Sequence, residues 1–189
     1  IELCLVGSEM CIRDRIDPSS VLFMLWAAPF FQGKVLDVCA APGGKSLMIA
    51  ALGKVDSLYL NEVSRHRIKR IQENIQRTGI SPSAILQSDG EKLPFDKHHF
   101  DTVLIDAPCS STGTIQKNPD IKWTASEKTL LKHLELQRQL LDEGARILKP
   151  GGTLIYSTCS LEEEENQNQI ESFLARHTGF FLKKLLKLM

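Results

Sequence analysis

Val35-Leu36-Asp37-Val38-Cys39-Ala40-Ala41-Pro42-Gly43-Gly44-Lys45 is the stretch on which the reading of this chain turns. Its first half, with Lys34, is a short apolar run of the kind that forms a buried strand. Its second half is made of small residues and glycines and opens a helical segment, Lys45 to Leu52. Strand, tight turn and helix in this order start a doubly wound α/β sheet, and the turn is where such sheets receive nucleotide-like ligands. Alanines and glycines let a ligand approach the backbone closely. The helix N-terminus offers unpaired N–H groups to an anion such as a carboxylate, and Lys45 adds positive potential. No GxGxxG follows the strand, which argues against a nicotinamide dinucleotide.

Outward from this unit, strand and helix signals alternate. A helix capped near Asp17 is expected over Pro18 to Ala27, and further strands over Ser57 to Asn61, Ala84 to Gln87, Phe100 to Ile105 and Thr153 to Ser157. Arg65 to Thr78 places Ile68, Ile71 and Ile75 on one helical face, with Gly79 as its C-cap. Glu127 to Leu148 reads as a long helix ending at Lys149-Pro150-Gly151-Gly152, Glu162 to His177 as another, and Phe180 to Met189 as an interrupted final element. Apolar strands separated by amphipathic helices predict a mostly parallel sheet covered on both faces.

Ile1 to Arg15 has no clear period and joins the rest abruptly; it is read as a leader, either foreign to the fold or a disordered terminus. Residues 16–189 then form one domain, for which 189 residues in all is an ordinary size. The cysteines at 4, 11, 39, 109 and 159 are odd in number and include no CxxC pair, so neither a disulfide framework nor a metal site is expected. Without a secretion signal or an apolar run near the roughly 18 residues that cross a bilayer, the chain is expected to be cytoplasmic with reduced thiols. The net charge of zero counts against an autonomous RNA binder and fits a catalytic domain that borrows affinity from another module. Nothing calls for more than a monomer.

Chemistry-bearing residues gather at the strand ends. Glu62 follows the second strand, where a carboxylate can accept from both ribose hydroxyls of a nucleoside cofactor, and Asp89 follows the third, on the adenine side. The fourth strand runs into Asp106-Ala107-Pro108-Cys109-Ser110 and the fifth into Ser157-Thr158-Cys159-Ser160. Either cysteine alone reads more simply as a small buried residue. Two at the cofactor edge suggest nucleophilic chemistry, which needs a thiolate.

These segments, with Asn118-Pro119-Asp120-Ile121-Lys122-Trp123, resemble the RsmB/Fmu/Sun family of ribosomal-RNA cytosine-C5 methyltransferases and their Nop/NSUN relatives, from about Asp17 to about Phe181. The resemblance implies a Rossmann-like class I fold that binds S-adenosyl-L-methionine, here expected to lack the last antiparallel strands, and a substrate cytosine in single-stranded or looped ribosomal RNA, of the 16S type. It implies that Cys159 is the nucleophile at cytosine carbon 6, that Cys109 assists product release, and that Asp106 holds the cytosine edge beside the cofactor. It places Cys39, Ala40, Ala41, Pro42, Gly43, Gly44 and Lys45 in the cofactor loop, Glu62 on the ribose and Asp89 near the adenine. The family's N-terminal helical RNA-binding domain is not evident.

Lys117 and Lys122 are expected to contact RNA phosphates, and Trp123 either to stack on a base or to serve as a buried anchor. Arg65, Arg67, Lys69 and Arg70 read as a solvated helix face, and Glu162 to Glu165 as a solvated first turn. A DNA cytosine methyltransferase would instead use Cys109 as its nucleophile. A non-catalytic RNA-binding or assembly protein that keeps the fold is the remaining alternative.

Overall fold

The computed structural model describes residues 17–124 and 126–183. The expected leader with Cys4 and Cys11, and the last part of the final element, lie outside the described residues. The chain runs through α1 (Pro18–Ala27), β1 (Gln32–Asp37), α2 (Gly44–Leu52), β2 (Lys54–Asn61), α3 (Arg65–Thr78) and β3 (Ala84–Leu86). It continues through β4 (Phe100–Asp106), the single turn α4 (Ile121–Thr124), α5 (Glu127–Ile147), β5 (Leu148–Ser157) and α6 (Gln167–Arg176). Five parallel strands lie in the order β3-β2-β1-β4-β5. The chain winds outward from β1 in one direction and then returns to wind in the other. That reversal opens a crevice beyond the carboxyl ends of β1 and β4, where doubly wound sheets bind ligands.

Strand alternation builds the two cores. Val35 and Leu104 face α1, α2 and α3 and pack with Met24, Met48, Ile49 and Ile71. Leu36, Val103 and Ile105 face the opposite side and pack with Leu140 and Leu141 of α5 and Phe173 of α6. β1 and β4 are therefore apolar on both faces, which is why these runs read as continuous rather than alternating. Among the described residues no helix is long and apolar enough to cross a membrane.

Three expectations change. Lys149 to Gly152 do not separate helix from strand; they are looped out of β5, because Phe100 pairs with Leu148 while Thr102 pairs with Thr153. Gly151 turns the bulge at φ 78, and Lys149 holds it to Asp101 through a 2.8 Å ion pair. The helix expected over Glu162 to His177 is broken into a short 3₁₀ turn, Glu163–Glu165, and α6, with Asn166 between them. Asp17 stands at the N-cap of α1 without making a side-chain cap; its carboxylate takes the Ser19 hydroxyl and the Lys117 ammonium instead.

Candidate active site

The turn after β1 is held from below and from the side. Gly43 lies in the left-handed region at φ 109, where a side chain would be strained, and it starts α2. No side chain caps α2, so its first-turn N–H groups remain available to an anion. Ala41 O accepts from Arg67 Nη2 at 2.8 Å and Pro42 O from Asn74 Nδ2 at 2.8 Å, both on α3. Arg67 also meets the buried Glu62 carboxylate at 3.3 Å. Arg67 thus supports the turn while its side chain stays about half exposed, so the solvated helix face that helical patterning suggested also serves the site.

Asn61, wholly buried at the end of β2, was not anticipated. Its side chain donates to Val38 O at 3.0 Å and to Ser88 O at 3.1 Å, accepts from Ser88 Oγ at 2.6 Å, and its carbonyl accepts from Ala40 N at 2.9 Å. One side chain therefore ties the β1, β2 and β3 loops together. It places the Cys39–Lys45 turn, Glu62 and the exposed Asp89 along one rim. Uncapped amides for a carboxylate, a buried acid for ribose hydroxyls and a second acid beyond it form a set of groups that suits S-adenosylmethionine. Cys39 is a poor nucleophile here, since burial, reinforced by the Asp37 and Asp106 charges, pushes its thiol far up.

Lys45 does not point its charge at that rim alone. Its ammonium pairs with Asp106 at 2.7 Å, and Asp106 also accepts from Ser157 Oγ at 2.7 Å. This links the glycine turn to the tips of β4 and β5. There the Sγ atoms of Cys109 and Cys159 lie 3.2 Å apart. Cys159 is exposed; Cys109 sits slightly deeper. Ser111 Oγ is 3.2 Å from Cys159 Sγ, and Ser111 reaches it from the left-handed backbone region at φ 59. At this distance the two sulfurs are within hydrogen-bond reach of each other. The hydrogen bond from Cys109, helped by Ser111 and Lys45 against partial burial and the Asp106 charge, brings the Cys159 thiol down to about 6. The Cys109 thiol is driven up by the same contact and by burial. The pair is polarised, with the more accessible sulfur as the anion.

The acidic run hides the largest departure. Glu165 is 0% exposed and is the partner of the Cys109 loop. It accepts from Ser110 N at 2.9 Å, from the Ser110 hydroxyl, and from Gln137 Nε2 at 3.0 Å. Although burial opposes ionisation, these hydrogen bonds hold its carboxyl below the usual range. Nothing in the spacing of four consecutive acids distinguishes the one that turns inward.

On the RNA side, Lys117 is engaged by Asp17, whereas Lys122 is exposed. Trp123 is 87% exposed, which removes the buried-anchor alternative. Among the described residues no cluster of three or more His, Cys, Asp or Glu is arranged to hold a metal.

A family profile described as 16S rRNA methyltransferase RsmB/F matches residues 24–187. The ribosomal RNA small subunit methyltransferase B of Shewanella oneidensis is 41% identical over 168 residues, covering 86% of this chain and 39% of that protein. The counterpart of Sodalis glossinidius is 40% identical over 170 residues, with 89% and 39% covered. The chain thus spans about two fifths of the length of these relatives. Among solved structures, NSun6 from Pyrococcus horikoshii with SFG, an S-adenosylmethionine analogue, superposes with a TM-score of 0.72 at 30% identity, covering 81% of this chain and 40% of that one. A methyltransferase homologue from the same organism gives 0.69 at 34%, with 83% and 49% covered. The fold is that of the Rossmann-like S-adenosylmethionine-dependent methyltransferases. The chain belongs to the 16S rRNA methyltransferase RsmB/F family.

Proposed function

We propose that this chain is the catalytic core of an S-adenosylmethionine-dependent 16S rRNA cytosine-C5 methyltransferase that works through a covalent Cys159 adduct. The observation that carries the proposal is the 3.2 Å approach of two thiols from adjacent strand tips, beside a turn suited to the cofactor. Cytosine carbon 5 is a poor nucleophile. Addition of the Cys159 thiolate to carbon 6 makes a sulfur–carbon bond at the expense of the ring double bond, and a proton delivered to ring nitrogen 3 leaves a neutral enamine, nucleophilic at carbon 5. S-adenosylmethionine supplies an electrophilic methyl group. Loss of the carbon 5 proton to a base then expels Cys159, and Cys109 assists this release. Cys39 to Lys45 would hold the methionyl end, Glu62 the ribose and Asp89 the adenine side. Asp106, tied to Lys45 and Ser157, would meet the cytosine edge beside the cofactor. Lys122 and Trp123, exposed in the loop after Cys109, would contact phosphate and a splayed base; Lys117 would join them only by leaving Asp17.

The test uses separate serine substitutions in the full-length protein with S-adenosylmethionine and 16S rRNA. Cys159→Ser should abolish methylation and form no adduct. Cys109→Ser should accumulate a protein–RNA adduct on a denaturing gel. Adduct formation that requires Cys109 and tolerates loss of Cys159 would reverse the assignment and favour the chemistry of DNA cytosine methyltransferases. Folded protein without S-adenosylmethionine binding would favour a non-catalytic RNA-binding role.

A further inference from the structure

Two neighbouring residues each grip one of the two cysteine loops. Glu165 holds the Cys109 side. It takes the Ser110 amide and hydroxyl directly, and it shares Gln137 Nε2 with Pro108 O, which accepts from the same nitrogen at 2.9 Å. Asn166 holds the Cys159 side. Its Oδ1 accepts from Thr158 Oγ1 at 2.7 Å, and its Nδ2 donates to Ser160 O at 3.0 Å and Glu162 O at 2.7 Å. The residues gripped are therefore Pro108 and Ser110 on one strand tip and Thr158 and Ser160 on the other. Each set brackets a cysteine. Glu165 and Asn166 are neighbours in sequence, so the two grips spring from one short stretch of backbone and are fixed by their own hydrogen bonds. The break between the 3₁₀ turn and α6 aims both side chains at the loops.

We propose that Glu165 and Asn166 form a positioning pair that sets the separation of the Cys109 and Cys159 sulfurs. The proposal rests on the thiol pair described above and deepens it; neither residue touches substrate. Hydrogen bonds to a buried carboxylate are stronger than neutral ones, and leaving Ser110 N and Gln137 unpaired would be costly, so the Cys109 loop has a steep preference for one place. The Asn166 grip does the same for the Cys159 loop. A polarised thiol pair needs both, since the contact between the sulfurs depends on where each loop holds its cysteine.

The experiment reads the sulfurs and not the methylation. In the full-length protein, the pH dependence of Cys159 alkylation by iodoacetamide is followed by peptide mass spectrometry for the wild type, E165Q, N166A and the double variant. S110A provides a mild loosening of the Glu165 grip if E165Q does not fold, and Ile71→Val, remote from both loops, controls for lost stability alone. E165Q and N166A should each move the Cys159 midpoint upward, and the double variant should move it by less than the sum of the two, because releasing either loop already opens the gap. Ile71→Val should leave the midpoint in place. A wild-type midpoint near the ordinary thiol value would reject the polarised pair itself, and with it the catalytic reading. A low wild-type midpoint that E165Q or S110A, and N166A, leave unmoved would reject the positioning role alone.

Discussion

Replacing Cys109 by alanine tests the electrostatics of the thiol pair directly. Alanine removes the hydrogen-bond donor 3.2 Å from Cys159 Sγ without placing a new polar group there, whereas serine would still donate. That contact is the first cause of the drop from 9.0 to about 6 at Cys159. At about pH 7 a thiol with a midpoint of about 6 is about nine-tenths thiolate, and one at the free-thiol value of about 8.5 is about three-hundredths. Ser111 and Lys45 remain in the variant and Cys159 lies at the solvent boundary, so part of the shift survives. The expected result is a rise of at least about one pH unit in the Cys159 midpoint. The midpoint, not the rate at one pH, is the quantity to compare. A less acidic thiolate is intrinsically more nucleophilic, with a Brønsted slope of about 0.4–0.5, and this offsets much of the lost thiolate. The assay is alkylation across about pH 5 to 10 with mass-spectrometric readout of the Cys159 peptide, bracketing the free-thiol value of about 8.5. An unchanged midpoint in folded Cys109→Ala would show that Cys109 does not polarise Cys159 and would remove the basis for the assignment of nucleophile and helper.

Gly113 lets the two loops meet: its N–H donates to Cys159 O at 3.0 Å, and a Cβ there would lie 2.8 Å from the same oxygen. Gly113→Ala should therefore displace the Cys159 segment and cut rRNA methylation by about tenfold or more, ~1.4 kcal/mol in the barrier, with little loss of melting temperature; wild-type activity would contradict this close approach. Burial, with the Asp106 charge, raises the Asp37 carboxyl from 3.8 to about 7 against the Ser46 hydroxyl, and one of its oxygens has no partner. The folded state thus holds that proton more tightly than the unfolded chain does. Its contribution is fully present below 3.8 and is lost as pH rises through about 7, so Asp37→Asn should gain in melting temperature relative to wild type across that window; parallel curves would contradict it. Asn61→Ala removes buried hydrogen bonds to Val38 O and Ser88 O, and should weaken S-adenosylmethionine binding in calorimetry by about 1–3 kcal/mol, whereas an unchanged affinity would dissociate Asn61 from the cofactor rim. Trp123→Ala should lower RNA affinity by about 1–3 kcal/mol if one base stacks there, and should leave the melting temperature alone because the ring is 87% exposed.

The chain's local chemistry was legible before any coordinates. Apolar runs bounded by glycine turns determine where strands lie, and the periodicity of Ile68, Ile71 and Ile75 determines α3 over Arg65–Thr78, with Gly79 at φ 71 as its C-cap. The glycine turn and the two Cys segments could also be recognised, because short motifs at strand ends carry their own geometry. What a linear pattern cannot hold is which charges meet across the fold. Arg67 and Glu165 look alike in sequence, as charges of a helix face and an acidic run that are usually solvated; only the packing of α3 on the turn gives Arg67 a buried partner, and only the packing of the Glu163–Glu165 turn against α5 and the Cys109 loop buries Glu165. Lys45 likewise reads as a free cation until β4 brings Asp106 to it. Strand and helix identity follow from neighbours a few residues apart. The 3.2 Å between Cys109 and Cys159 depends on two loops fifty residues apart being held in place by parallel pairing of β4 with β5, and that is a property of the tertiary structure alone.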